Sequence, residues 1–536
     1  GFEWVREVYR QVLTALVTVR WAFVPVFLAI CASSLLLLPW LGRDFFPDTD
    51  TGQLKLHLRA HTGTRVEETA RLCDLVEDSI RRIIPKDELA SIIDDIGLPY
   101  SGINMTYSNS AAIGTGDADI MISLTPQHHP TRDYVRAIRQ QMARQFPGTS
   151  FYFISADIVS RILDFGLPAP IDVQLIGNDA IKDRQVADKM LEDLRRVPGL
   201  ADLRIQEPFN LPELHINVDR TKAAGSGLTQ SDIARNLLVS LSGSFQTEPT
   251  FWLNPATGVS YNIITETPQY QVQSLQDLKN IPLTSPTAAP DEILGDVASI
   301  ERGAGMGIVD HYNINRVVNI YGAVDGRDLG SAGADVARIV DAHRKDLPRG
   351  SEAVIRGRIE TMTDSFTGLF AGLGFAIVLI YLLIVVNFQS WLDPFIIITA
   401  LPAALAGIIV FLFLTHTTIS VPALMGAIMC MGVATANSIL VVSFAKEELA
   451  RHGDPLQAAL AAGFTRFRPV IMTAAAMIIG MVPMSLGLGD GGEQNAPLGR
   501  AVIGGLLCAT VATLVFVPVV FSILHRPRKP EPIGRV

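Results

Sequence analysis

Residues 366 to 445 contain no lysine or arginine and a single acid, Asp393. A stretch this long and this free of charge cannot face water as the surface of a soluble domain; hydrocarbon is the solvent that suits it. A bilayer-spanning helix needs about 20 apolar residues at 1.5 Å rise each. The sequence offers six such runs, at 21–42, 366–388, 394–414, 421–445, 469–489 and 501–524. The run at 421–445 is interrupted by small and polar residues but carries no charge. Residues 43–362, in contrast, scatter acids and bases as a water-soluble region does. The net charge of -9 averages over both environments and says nothing about partners. No basic tract points to nucleic acid.

The bases orient the spans, because Lys and Arg close to helix ends are retained in the cytoplasm. Arg6, Arg10 and Arg20 precede the first run, Lys446, Arg451, Arg466 and Arg468 lie between 445 and 469, and Arg526, Arg528 and Lys529 follow the last. The connections at 415–420 and 489–497 have none. With six crossings these segments alternate consistently, which predicts both termini in the cytoplasm and residues 43–362 outside. The sequence begins with Gly rather than Met, its first apolar run follows an amphipathic stretch too long for a signal-peptide n-region, and it is read as a piece of a longer protein. The expected layout is a cytoplasmic lead-in (1–20), a first span (21–42), an outer region (43–208), an insertion (209–300), the return of the outer region (301–362), five spans (363–525) and a cytoplasmic tail (526–536).

The outer region alternates strand and helix patterns. QLKLHLRA at 53–60 puts Leu54, Leu56 and Leu58 on one face, and Val66, Cys73, Val76, Ile80 and Ile84 then recur at helical spacing. DADIMISL at 117–124, a helix near 132–146 and SFYFIS at 150–155 complete a β-α-β-β-α-β-like unit. IDVQLIG at 171–177, a helix from 181 to 197 and ADLRIQ at 201–206 open a second one. RVVNIYGAV at 316–324, a helix near 329–347 and EAVIRG at 352–357 close it. The Pro- and Gly-containing insertion, with a helix at 229–240, reads as an irregular projecting subdomain. The predicted fold class is a membrane α-helical bundle of six spans plus an α+β outer domain of two ferredoxin-like split β-α-β units carrying an inserted docking subdomain.

Enzyme chemistry finds no footing. GxxxxGK[ST] and HExxH are absent, no spaced Ser, His and Asp motif appears, and the adjacent His128 and His129 lack the three- or four-residue spacing of helical metal ligands. Catalytic residues, resident metals and cofactors are expected to be absent. The four cysteines, three of them in apolar runs, exclude a disulfide framework. Inside the spans the remaining polar groups are Thr435, Asn437 and Ser438 in MGVATANS, and Thr473 in VIMTAAAM. Hydroxyl and small residues let helices approach and bond across the contact; the alternative is participation in transport. For Asn437 both roles stay open, because a buried carboxamide needs several partners in hydrocarbon, and a charged group on another helix is one candidate.

GRDFFPDTDTGQLKLHLRAHTGT at 42–64, GVATANSILVVSFAKEEL at 432–449, RFRPVIMTAAAMIIGMVPM at 466–484, GEQNAPLGRAVIGG at 492–505 and FVPVVF at 516–521 resemble the resistance, nodulation and cell division (RND) efflux transporters. The match is nearest to the hydrophobe and amphiphile efflux branch. It covers essentially the whole chain but only one of the two six-span halves of such a transporter, the C-terminal one. The resemblance implies a trimeric, proton-driven secondary transporter of the bacterial inner membrane. Its partners would be the missing N-terminal half, a periplasmic adaptor, an outer-membrane channel and small amphiphilic substrates. It also implies that residues 43–362 are periplasmic porter units and that the insertion docks on adaptor or channel.

By the same likeness, the stretch 109–119 is a switch loop, with Ala112, Gly114 and Gly116 as its candidates, and Ile103, Met105, Tyr107 and Met121 are substrate-pocket candidates. Sheet core is the other role for these four, and the two methionines also suit soft Cu(I) in a metal-exporting branch. Asn437, Thr473 and Thr435 are the proton-pathway candidates. One departure stands out: the Lys that many relatives carry before the Asn of the fourth span is replaced here by Ala436. Other classes that fit the layout are an RND metal exporter, a secretion or lipid-transport member, and a membrane sensor that does not pump.

Overall fold

The computed structural model describes residues 2–98, 112–287, 291–489 and 491–527. Helix α1 (Phe2–Thr18) buries Tyr9, Leu13 and Val17, four residues apart and therefore on one stripe. Helix α2 (Arg20–Leu41) follows and is, among the described residues, one of six helices long and apolar enough to cross a membrane.

The first soluble unit runs β1 (Gln53–Arg59), α3 (Val66–Ile83), β2 (Leu89–Ile96), β3 (Asp117–Leu124), α4 (Thr131–Gln145) and β4 (Ser150–Ile154). Its sheet order is β2-β3-β1-β4 with every pair antiparallel. Leu54, Leu56 and Leu58 alternate inward and meet Val76 and Ile80 of α3 and Ile138 and Met142 of α4. Strand β2 is the element that periodicity did not locate. It lies at the sheet edge, its side chains are exposed or half-buried, and Asp94 and Asp95 blur its alternation.

The second unit begins with β5 (Ile171–Ile176), α5 (Ala180–Leu194) and β6 (Leu200–Ile205). Residues Pro208–Gly307 then form a compact unit of their own. Within it β7 (Leu211–Val218), α6 (Gln230–Ser242), β8 (Thr250–Leu253), β9 (Ser260–Ile263) and β10 (Ala298–Gly305) include an antiparallel β7–β10 ribbon and a β8–β9 hairpin. A Thr229–Asp232 capping box starts α6. This unit has an apolar core around Leu228, Ile233, Leu278 and Leu294, so it is more regular than expected, and it ends later because β10 continues past residue 300. After it come β11 (Asp310–Tyr312), β12 (Asn315–Val324), α7 (Leu329–His343) and β13 (Glu352–Gly357). Pairings β13-β5-β12-β6 reproduce the strand order of the first unit, with β11 added beside β12.

Five helices close the chain: α8 (Arg358–Phe388), α9 (Leu392–Leu414), α10 (Val421–His452), α11 (Pro455–Ser485) and α12 (Gly492–Leu524). The windows of α9, α10 and α12 are half or more buried, while α2, α8 and α11 are mostly exposed. Glycine sets the closest approach. A Cβ on Gly407 of α9 would lie 2.3 Å from the Gly504 carbonyl oxygen, and one on Gly504 of α12 would lie 2.2 Å from Phe411 Cβ, so neither position accepts a larger residue without separating the helices. The basic stretch between 445 and 469 is mostly helix. The break is narrow, at Gly453 in the left-handed region (φ 76°) before Asp454 and Pro455, which begin the next helix.

Candidate functional site

Four polar side chains in the bundle form two bridges. Asn437 Oδ1 accepts from the Thr473 hydroxyl at 3.0 Å, tying α10 to α11. Ser438 and Thr513 hydroxyls meet at 2.9 Å and tie α10 to α12 at a π-helical turn, Ala512–Phe516. Such turns interrupt the helical ladder and expose a side chain to a neighbour. Thr435 does not join them; its hydroxyl donates to Met431 O at 2.8 Å on its own helix. The partner that Asn437 finds within this chain is thus a neutral hydroxyl. Thr435 and Ala436 also line an apolar cavity of 240 Å³ with Leu379, Leu383 and Ile384 of α8, so Ala436 opens onto hydrocarbon side chains.

Charge is concentrated at the two ends of the bundle. At one end buried Asp393 accepts from Lys446 Nζ at 2.8 Å on Oδ2, and His525 places Nε2 3.1 Å from its Oδ1, bringing together α9, α10 and the residue that follows α12. Arg20 donates to Ser522 O at 3.0 Å close by in sequence to His525, and Tyr9 of α1 donates to Leu514 O at 2.7 Å. At the other end Arg500 donates to Thr417 Oγ1 at 2.7 Å and Ser485 O at 3.0 Å, and the Asp44 amide donates to Ile419 O at 3.0 Å. The sequence reading used Asp393 and Lys446 only as charge markers and passed over His525 and Arg500. Nothing in their spacing links residues 393, 446 and 525.

In the first soluble unit the described part of the expected switch loop is pinned by Asp117. Its Oδ2 accepts the Ile113 and Gly114 amides at 2.6 and 3.1 Å, and its Oδ1 accepts Arg59 Nε at 2.7 Å. His57, fully buried, places one ring nitrogen 3.0 Å from Asp117 and the other 2.6 Å from Asp119, so both bonds form when the ring carries two protons. Burial opposes the charged form of Asp117, yet the His57 bond and the Arg59 charge outweigh it and hold this carboxyl well below the usual carboxylate range. Of the three switch-loop candidates Gly114 belongs to this tether, Ala112 and Gly116 lie on either side of it, and a Cβ at Gly114 would meet nothing within 4 Å.

Met121 shares the β3 face with Asp117 and Asp119, is exposed, and pairs in register with Lys55 and Ile93. It is not sheet core, because the two-residue period sends Ile120 and Ile122 inward instead. Ile103, Met105 and Tyr107 lie outside the described residues.

The second sheet carries a site that the sequence reading missed. Its helix-covered face is apolar, through Ile171, Val173, Leu175, Val318 and Ile320, while the opposite face aligns Asp172 with Tyr321 and Gln174 with Asn319. Asn319 Nδ2 donates to Glu207 Oε1 at 2.8 Å and to Asp310 Oδ2 at 3.2 Å. Gln174 Nε2 donates to Asp172 Oδ2 at 2.8 Å. Among the described residues, the buried oxygens Asp172 Oδ1, Gln174 Oε1 and Asn319 Oδ1 have no hydrogen-bond partner, and neither do the nearby Nε atoms of Arg204 and Arg356. Each such acceptor costs about 1–3 kcal/mol when left dry. Burial pushes Asp172 up to about 7, and burial together with the Asp310 carboxyl raises Glu207. The signal was present as polar residues alternating with aliphatic ones in IDVQLIG and RVVNIYGAV, but alternation alone does not distinguish a wet face from a buried one.

The profile of the AcrB/AcrD/AcrF family matches residues 1–525. The cation efflux system protein CzcA of Alcaligenes sp. (strain CT14) is 26% identical over 536 residues, covering 98% of this chain and 49% of that protein. The multidrug resistance protein MdtC of Erwinia amylovora is 25% identical over 513 residues, covering 95% of this chain and 48% of that protein. A crystal structure of a heavy metal efflux pump aligns with a TM-score of 0.81 at 25% identity, covering 97% of this chain and 51% of that one. The chain spans about half the length of the curated relatives it matches. With six apolar helices, two split β-α-β units and this match along nearly its whole length, the chain belongs to the AcrB/AcrD/AcrF family of RND proteins.

Proposed function

We propose that the chain is the C-terminal half of an RND efflux transporter whose cargo is a divalent metal cation. The observation that carries this reading is the 26% identity to a cation efflux protein along 98% of the chain. Its support is the 0.81 TM-score to a heavy metal efflux pump. On this reading the chain lies in the inner membrane with both termini cytoplasmic. The soluble units are then periplasmic, the Pro208–Gly307 unit docks on adaptor or channel, and three copies assemble. Amphiphile export, the first expectation from sequence, is the second reading, favoured by the MdtC relative and by the apolar cavity beside Ala436.

Transport follows from a helix bundle that changes packing, and proton antiport would drive it. Asn437, Thr473 and Thr435 carry no charge that moves at neutral pH, so the proton-carrying groups belong to the other half, and residues 1–536 alone do not couple proton flow to transport. Metal and dye tolerance of an efflux-deficient host expressing the full-length gene tests the substrate. Raised tolerance to Zn²⁺, Co²⁺ or Cd²⁺ is expected; unchanged metal tolerance with raised dye tolerance overturns the cation reading in favour of the second.

A further inference from the structure

His57 lies on the face of the first sheet opposite its helices, where a polar ring would ordinarily meet water, yet it is fully buried. The Tyr152 ring of β4 stacks on it at 4.5 Å, and Arg204 of β6, from the second unit, lies 3.5 Å from the centre of that tyrosine ring. Each imidazole nitrogen faces a carboxylate, Nδ1 at 2.6 Å from Asp119 Oδ1 and Nε2 at 3.0 Å from Asp117 Oδ1. Asp117 in turn holds the Ile113 and Gly114 amides on Oδ2. We propose that His57 is a positioning residue whose second ring proton keeps Ile113 and Gly114 tied to β3 by way of Asp117.

The charged groups around the ring leave this task to it. Lys55 takes the other oxygen of Asp119 at 3.0 Å, and Arg59 shares Asp117 Oδ1 at 2.7 Å while its Nη1 reaches Gln206 O at 3.2 Å. Arg204 sits beyond Tyr152, Glu207 acts on Arg59, and Asp95 of β2, exposed, pairs in register with Asp119. Burial opposes the charged form of Asp119, but the His57 bond and the Lys55 charge outweigh it and keep this carboxyl below its ordinary value, as happens at Asp117. With both acids ionised, the protons of the two bonds belong to the ring.

A neutral ring has one N–H to give. The shorter contact, to Asp119, keeps it, and Nε2 then turns a lone pair toward Asp117 Oδ1 across 3.0 Å. The repulsion displaces the carboxylate whose other oxygen holds the two amides. The tie is therefore complete while the ring is charged and weakens as rising pH discharges it. With the soluble units periplasmic, as proposed above, the medium outside the inner membrane supplies the proton; the tie itself does not depend on that orientation.

Hydrogen exchange at Ile113 and Gly114, corrected for intrinsic rate, tests this in the detergent-purified 536-residue chain between about pH 5 and 9, a window that includes histidine titration. Protection in the wild type is expected to fall about tenfold across it, the equivalent of one charge-assisted hydrogen bond. His57→Gln, which cannot titrate, should give weak protection with a flat profile, while β5 and β12 keep their own dependence on pH. Wild-type protection that does not change with pH, or an equally steep fall in His57→Gln, overturns the proposal. Should that variant fail to fold, Asp119→Asn decides: it removes one carboxylate that favours the charged ring, so the midpoint of the fall should drop by about one pH unit or more. An unmoved midpoint would assign the dependence to another group.

Discussion

Lys446 holds Asp393 at 2.8 Å, across the ends of two helices whose charged residues are 53 positions apart in sequence. His525 takes the second carboxylate oxygen at 3.1 Å, so three helices meet on one buried acid. A carboxylate with a side-chain exposure of 2% is costly unless paired, and the pairing makes this end of the bundle a joint rather than a set of separate tips.

Removing one partner from this joint should therefore destabilise more than removing both. Lys446→Ala is expected to cost about 1–2 kcal/mol, below the buried-pair range because the lysine is half exposed. Adding Asp393→Asn to Lys446→Met should recover part of the loss. Thermal unfolding of the detergent-purified variants measures both, and a double variant less stable than either single one would contradict the pairing.

Asn437 and Thr473 should couple weakly. Hydrogen bonds between membrane helices average about 0.6 kcal/mol, and the Thr473 hydroxyl has Pro469 O and Val470 O within reach as alternatives. A double-mutant cycle with Asn437→Leu and Thr473→Val is expected to give roughly 0.5–1 kcal/mol of coupling in an unfolding titration. A coupling of zero would mean that the two side chains do not act together.

Asp117 should control the loop that precedes it. Asp117→Asn removes the charge facing His57 and Arg59 and weakens the bonds to the Ile113 and Gly114 amides, so hydrogen exchange at residues 112–116 should rise. The folded-state carboxyl is depressed, so its contribution is present above the unfolded value of about 4 and is lost as pH falls below it. Wild-type protection of this loop should accordingly decay on acidification below about pH 4, and the variant should show little of that decay.

Asp172 should act in the opposite sense. Its folded value near 7 exceeds the unfolded value of about 3.9, so its favourable contribution is complete below about pH 4 and is lost as pH rises to 7. Exchange protection of β5 and β12, corrected for intrinsic rate and read in chelator, should fall by an amount on the order of 2–4 kcal/mol between pH 4 and 8. Asp172→Asn should flatten that dependence. An equally steep profile in the variant would assign the effect to Glu207, which is raised in the same direction.

Strong periodicity was readable. Leu54, Leu56 and Leu58 face the core as their alternation requires, and all six apolar runs are helices. Edge strand β2 was not located, because half-exposed side chains do not need to alternate cleanly. Of the membrane candidates, Asn437 and Thr473 meet as partners, whereas Thr435 turns back on its own helix; all three have the same polar character in sequence. Met121 is exposed where core was one of its two expected roles, since its neighbours Ile120 and Ile122 occupy the inward positions.

What the amino-acid order determined by itself is what depends on solvent: which segments suit hydrocarbon, which suit water, and which face of a strand is apolar. These follow from transfer free energies and fixed repeat lengths, which act locally. Only the tertiary structure decided which polar groups share a site. Asp393, Lys446 and His525 are far apart along the chain, as are Gln174, Glu207 and the Asp310–Asn319 hairpin, and they carry no common pattern. Their interaction depends on distances of about 3 Å that exist once helices pack and strands pair in register.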